Sequence, residues 1–295
     1  MNKLFSGVGV AIVTPFTESG AVDVDSLKRV VEHIIVSNAD FITVLGTTGE
    51  SVTMSLQERD LVVRTVAEQN RGRLPLLLGV GGNSTASVVN DLKTLPYISL
   101  CQGVLSVVPY YNKPSQQGIY AHYAAIAEAS PLPIVLYNVP GRTGVNMCAE
   151  TVARLAADFP NIIGVKEASG LMNQATSLLK IKRDDFAILS GEDGLVMPLV
   201  AMGFDGVISV AGNLCADRYV NIIRLLNEGK VSEAARIHLA LHDFCIALFA
   251  EGNPAGIKAA LKIAGIIDSQ TLRLPLVPVS DVLYAKMEQI LSELS

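Results

Sequence analysis

Eight short apolar runs, each bounded by Gly, Pro, Asn or Thr, recur at near-regular intervals along this chain of 295 residues. They are Val8–Val13, Phe41–Leu45, Leu76–Val80, Val104–Val108, Ile134–Tyr137, Ile162–Lys166, Ala187–Leu189 and Val207–Val210. Most are apolar on successive residues, the pattern of parallel strands covered on both faces. Between them apolar residues take helical spacing: Leu27, Val30, Val31, Ile34 and Ile35 form one stripe, and Ile222, Leu225 and Leu226 continue the pattern near the end. Eight strand–helix units in about 225 residues is the count of a (β/α)8 TIM barrel. An open doubly wound sheet usually has fewer strands and often a Gly-rich nucleotide loop after the first. Only 17% of the residues are charged, against about 25% in an average soluble domain, which suits a large core.

From Val231 onward the strands stop. Residues 231–250, 254–264 and 280–294 read as helices, with Pro254 suited to a first turn and Pro275 and Pro278 interrupting the last connection. The expected organisation is a barrel over residues 1–230 and a C-terminal helical region over residues 231–295 packed on it.

Composition removes several functions. Lys plus Arg number 23 and Asp plus Glu 28, giving a net charge of −5 and no basic footprint for nucleic acid. Cys101, Cys148, Cys215 and Cys245 are scattered without a C-x-x-C pair, so neither a disulfide framework nor a thiolate metal site is suggested. Reduced thiols point to the cytoplasm. The apolar stretch Val8–Val13 is too short for a signal-peptide core. The uncharged stretch from Thr94 to Asn112 contains Pro96, Gln102 and Pro109, which argues against a membrane span.

In such a barrel the reactive groups stand at the C-terminal ends of the strands. Lys166 ends the sixth run, and a period of two places Ile162, Gly164 and Lys166 on one face, with Gly164 leaving space beside the lysine. If that face is the interior, desolvation favours the neutral amine, which can attack a ketone and form a Schiff base. The alternative is a solvated lysine at a strand end. Tyr137 ends the adjacent run at the same level, and its phenol can shuttle protons, helped by the hydroxyls of Thr47 and Tyr111. Each tyrosine can equally be an aromatic packed at the rim.

The turn Gly46-Thr47-Thr48-Gly49-Glu50 can bring backbone N–H groups to a small carboxylate, or be an ordinary strand–helix turn. Ser55 and Glu58 form a capping-box pattern after it. Arg142, after Pro140-Gly141, can hold a second carboxylate with its guanidinium fork, or lie on the surface.

Other patterns carry less. Gly79-Val80-Gly81-Gly82-Asn83 lacks the spacing of either phosphate-binding loop. His238 and His242 stand four apart in the appendage without an H-E-x-x-H glutamate and are expected to be structural. No histidine falls at a strand end, and no Ser or Cys sits in a nucleophile elbow.

These residues carry a resemblance. Gly46–Glu50, Pro109-Tyr110-Tyr111-Asn112-Lys113-Pro114, Tyr137-Asn138-Val139-Pro140-Gly141-Arg142-Thr143-Gly144, Gly164-Val165-Lys166-Glu167 and Gly206-Val207-Ile208-Ser209-Val210 arrive in order at strand ends. Together they resemble the dihydrodipicolinate synthase branch of the class I pyruvate-dependent lyases, the family that includes N-acetylneuraminate lyase, nearly end to end. The double tyrosine and Arg142 are what favour the synthase branch.

The resemblance implies a Schiff base between Lys166 and pyruvate. Tyr137 would be the proton donor and acceptor, and Thr47 and Tyr111 would complete a relay, Tyr111 coming from a neighbouring subunit. Thr48 and the Ile208 backbone would contact pyruvate, and Arg142 would receive the carboxylate of L-aspartate 4-semialdehyde. No metal or organic cofactor is implied, and a dimer would be the smallest competent unit of a homotetramer.

Members of the family inhibited by lysine carry a His and a Glu where this chain has Leu56 and Ser87, which implies weak feedback by lysine. Two rivals remain at this point: a lyase of the same family acting on a sugar acid, and a barrel that binds a keto acid as a regulator without turnover. Retention of Thr47, Tyr111, Tyr137, Arg142 and Lys166 counts against the second.

Overall fold

The computed structural model describes residues 3–294. Eight parallel strands close into a barrel: β1 (Gly7–Ala11), β2 (Phe41–Val44), β3 (Leu76–Gly79), β4 (Gly103–Val107), β5 (Ile134–Asn138), β6 (Ile162–Glu167), β7 (Ala187–Ser190) and β8 (Gly206–Ser209). Each coincides with one of the eight apolar runs to within two residues at either end. Helices connect the strands, and their starts follow the local sequence. Asp23, Ser55, Ser84 and Ser115 each cap a first turn with the side chain, and Ser55 and Glu58 make the reciprocal bonds of a capping box.

The continuous apolar runs are explained by two cores. Val8, Val10, Ile42, Val44 and Val165 point outward against the helices. Ala11, Phe41, Leu77, Leu105, Val135, Leu189 and Ile208 form a separate inner cluster to which no long helix contributes, the filling of the barrel. Phe5 packs edge-on against Phe41, 5.3 Å between ring centroids, within the inner cluster at the N-terminal end of the barrel.

The ring closes where β8 meets β1. Gly7 pairs with Gly206, and a Cβ on Gly206 would lie 1.9 Å from the Gly7 carbonyl oxygen, so only glycine fits this seam. The Asp205 carboxylate beside it accepts from Lys3 and Lys182 Nζ at 2.8 and 2.9 Å and from the Ile188 amide at 2.8 Å.

Two sequence expectations need correction. The helix expected over residues 231–250 is two, Val231–Ala240 and His242–Phe249, because the chain tightens at Leu241, whose amide is shared between the carbonyls of Ile237 and His238. Strict period two also fails in β6. The register with β5 slips between Ile134 and Val135, so Val135 faces Gly164 while Ile134 faces Ile162. Ile162 therefore joins the outer core and Ile163 packs against the inner one. Lys166 keeps its inward direction.

The C-terminal helices, including Ala255–Ile263 and Asp281–Leu294, pack on one another and on the helix Gly212–Asn227. They also reach round to the front of the barrel. Arg29 is held by the Ile266 carbonyl and Asp268, and Arg273 by Gly20, Thr53 and Glu58. Among the described residues no helix is long and apolar enough to cross a membrane.

Candidate active site

Tyr137 and Lys166 are register partners at the ends of β5 and β6, and both point into the barrel. The outward-facing pair that follows locks the two strand ends together. Asn138 donates to Glu167 Oε2 at 2.9 Å and to Asn146 Oδ1 at 2.7 Å, and accepts from the Met147 amide at 2.9 Å. Glu167 Oε1 accepts from the Ser169 amide at 2.7 Å. Both side chains are buried and hydrogen-bonded, so the strand ends cannot slide without leaving polar groups unpaired.

Lys166 is 6% exposed and Tyr137 7%. The lysine Nζ lies 4.4 Å from the centre of the tyrosine ring. Room for the lysine stem comes from Gly191 at the end of β7, where a Cβ would lie 2.9 Å from Lys166 Cε and 2.5 Å from Ala168 Cβ. Gly164 does not supply that room, contrary to expectation: a Cβ there would meet the Ala187 carbonyl oxygen at 2.7 Å.

Above the lysine is a cavity of about 440 Å³. Thr47, Thr48, Tyr137, Arg142 and Lys166 all line it, so five of the seven residues singled out in the sequence converge on one space. The other two do not. The Ile208 side chain is sealed in the inner core, and Val210 is the residue beyond β8 that reaches the cavity. Tyr111 is 86% exposed, in a left-handed backbone conformation (φ 77°) held by its amide bond to the Thr143 carbonyl at 3.2 Å.

The reactive groups are uncommitted. Among the described residues no hydrogen-bond partner is found for the Lys166 amine, the Tyr137 and Thr47 hydroxyls or the Arg142 guanidinium. Two further lining residues, Thr43 and Asn253, each have a buried side-chain oxygen without a partner. Such atoms are costly to bury and mark a place where a polar ligand can bond. No cluster of side chains suited to a metal ion is found among the described residues.

Several contributors escaped the sequence reading. Phe249, Gly252 and Asn253 come from the C-terminal region, and Asn253 Nδ2 donates to Thr48 Oγ1 at 3.1 Å. Glu192 also lines the cavity; burial pushes its carboxyl up, Asp193 adds to the effect, and Lys166 and Arg142 oppose it. Asp193 is fully enclosed and ties the loop after β7 to the end of β8. It accepts from the Ser209 hydroxyl and from the Val210 and Ala211 amides at 2.9 and 3.1 Å. The usable signal for Glu192 and Asp193 was their place directly after β7, at a strand end; Asn253 left none.

A buried amine and a phenol thus stand on adjacent strands, and a guanidinium lines the same cavity. The model of the dihydrodipicolinate synthetase family matches residues 4–294. The chain belongs to this family. The 4-hydroxy-tetrahydrodipicolinate synthase of Phocaeicola vulgatus is 49% identical over 288 residues, 98% of this chain and 96% of that one. The family fold is equally clear. The dihydrodipicolinate synthase of Thermotoga maritima superposes with a TM-score of 0.95 at 41% identity, covering 98% of each chain. The chloride-inhibited dihydrodipicolinate synthase of Acinetobacter baumannii, solved in complex with pyruvate, gives a TM-score of 0.92 at 37% identity, again over 98% of each chain.

Proposed function

We infer that this protein is the lyase that condenses pyruvate with L-aspartate 4-semialdehyde to 4-hydroxy-tetrahydrodipicolinate, in lysine and diaminopimelate biosynthesis. The observation that carries the reading is the buried Lys166 amine on the face of Tyr137, at the floor of a cavity whose lining includes Arg142.

The chemistry runs through the protein's own side chains. Lys166 Nζ attacks the ketone carbon of pyruvate. Tyr137 hands a proton to the carbinolamine oxygen so that water leaves and an imine forms. The iminium nitrogen draws electrons from the adjacent bond, and transfer of a methyl proton to the Tyr137 phenolate gives an enamine. The Thr48 hydroxyl and the backbone near Ile208 hold the pyruvate carboxylate. The enamine carbon attacks the aldehyde of the second substrate, whose carboxylate is gripped by Arg142. The new substrate amine then displaces Lys166 by transimination, which closes the ring and frees the enzyme.

Tyr137 needs a path to solvent for its proton, and Thr47 with Tyr111 of a neighbouring subunit provides one. Tyr111 is exposed in the single chain and does not line its own cavity, which supports a homodimer as the minimum unit and a homotetramer as the expected assembly. The four free cysteines suit the reducing cytoplasm.

Borohydride reduction in the presence of pyruvate, followed by peptide mass analysis, tests the reading. The adduct is expected on Lys166 alone, and turnover with aspartate semialdehyde but not with N-acetylneuraminate. An unmodified Lys166 at saturating pyruvate overturns it.

A further inference from the structure

The turn that presents Thr47 and Thr48 to the cavity ends in Glu50, a charged residue whose side chain is fully buried. Glu50 adopts φ 52°, ψ 32°, a left-handed conformation that non-glycine residues enter only when their surroundings hold them there. Both hydrogen-bond donors to its carboxylate come from the C-terminal region. Lys258 Nζ donates to Oε1 at 2.5 Å and the Arg273 amide to Oε2 at 3.1 Å.

Lys258 is itself fully buried, in the apolar helix Ala255–Ile263. It also donates to the Thr271 carbonyl at 2.9 Å and lies 4.2 Å from the centre of the Phe16 ring. Phe16 takes the Arg273 guanidinium as well, 4.4 Å from its centre. Two residues before Glu50, Thr48 Oγ1 accepts from Asn253. A hydroxyl that accepts in that direction has its own proton left to donate into the cavity.

A buried ion pair is a poor device for stability. Two well-packed apolar residues of similar volume often serve as well or better, because the charges must first be stripped of water. What the pair supplies is direction. A charge at Glu50 has one low-energy arrangement, and that arrangement fixes the turn.

We propose that Glu50 and Lys258 are positioning residues for the reaction, their buried pair holding the Gly46–Glu50 turn in the shape that lets Thr47 and Thr48 engage the keto acid. This rests on the reading of that turn as the pyruvate cradle given above. The C-terminal region is then part of the binding apparatus, although neither residue of the pair touches substrate.

The test is the double variant Glu50→Gln/Lys258→Met, which removes both charges and leaves neither stranded. It is expected to fold with a melting temperature close to that of the parent and to be trapped by borohydride at saturating pyruvate. The pyruvate concentration for half-maximal trapping is expected to rise at least tenfold, while KM for aspartate semialdehyde stays within about threefold. A folded double variant with the parent's pyruvate dependence and kcat overturns the proposal, since a merely structural pair moves only the melting temperature.

Should the double variant not fold, Glu50→Asp carries the test. It keeps the charge but shortens the reach, and the same rise in half-saturating pyruvate supports the proposal while an unchanged value overturns it. Parent protein that gives no adduct on Lys166 overturns the functional reading and this inference together. Trapping in the parent with unchanged variants overturns the positioning role alone.

Discussion

Tyr137 and Lys166 face each other directly across the β5–β6 ladder, one residue before the Asn138–Glu167 lock. Both reactive groups thus sit on rigid strands, and their mutual geometry exists before any substrate arrives. Replacing Tyr137 by Phe keeps the ring against the lysine and removes only the proton carrier. We expect kcat to fall about 10²- to 10⁴-fold, the usual worth of general acid–base catalysis, with the protein still folded. Steady-state kinetics and thermal melting check this; a kcat within threefold of the parent excludes Tyr137 as the proton carrier.

Arg142 is exposed at the cavity; Glu192 lines the same space and feels its charge, but among the described residues no carboxylate pairs with the guanidinium. Losing hydrogen bonds to a charged group costs about 1.5–3 kcal/mol, which corresponds to roughly a tenfold to hundredfold loss of affinity. Arg142→Ala is expected to raise KM for aspartate semialdehyde by that factor and to leave adduct formation with pyruvate intact. Equal damage to both steps contradicts the assignment.

Tyr111 makes a prediction about assembly. If it serves a neighbouring subunit, Tyr111→Phe and Lys166→Ala proteins are each poorly active, but refolding them together creates hybrids in which an intact lysine meets an intact tyrosine. Activity above that of either parent is expected. Strict additivity of the two weak activities would mean that each chain supplies its own relay.

His122 gives a pH dependence. Its ring is packed against Tyr123 at 5.2 Å between centroids, Nδ1 is bonded to Thr85 Oγ1 at 2.8 Å, and Nε2 is buried without a partner. Burial pushes its pKa down to about 4 from an ordinary 6.5. The unfolded chain therefore takes up this proton more readily than the folded one. The stability held by neutral His122 is complete above about pH 6.5 and is lost as the pH falls through 4, an effect on the order of 2 kcal/mol. Denaturant melts across this range should show a slope that His122→Gln flattens. An unchanged slope in that variant would locate the acid sensitivity elsewhere.

Leu56 and Ser87 bear on feedback. Neither offers a charge to an amino-acid effector; Leu56 is half-exposed, and the Ser87 hydroxyl donates to Ser84. Lysine at sub-millimolar concentration is expected to leave the rate unchanged. Strong inhibition in a simple titration refutes this.

The barrel was legible because covering a strand on both faces leaves an uninterrupted apolar run, a signal that needs no partner sequence to be read. The lysine, the tyrosine and the threonine turn were legible for a related reason, each being polar at the end of such a run. Ile162 was misplaced by the slip against β5, since a bulge belongs to two strands at once, and Gly164 was misread because the neighbour that crowds it, Ala187, lies on β7. Glu50, Asn253 and Lys258 were missed as a group because their contacts span about two hundred positions, and nothing local distinguishes a buried glutamate in a turn from a solvated one. A lone lysine within Ala255–Leu261 was the one trace left in the sequence.

The Gly7–Gly206 seam also constrains how the molecule is made. During synthesis β1 emerges first and must wait for some two hundred further residues before its last neighbour leaves the ribosome. Until then the growing sheet has two raw margins, each able to pair with a stranger. The salt links that converge on Asp205 stand at the point where this exposure ends, so weakening them should be felt in the yield of protein from cells before it is felt in the finished enzyme.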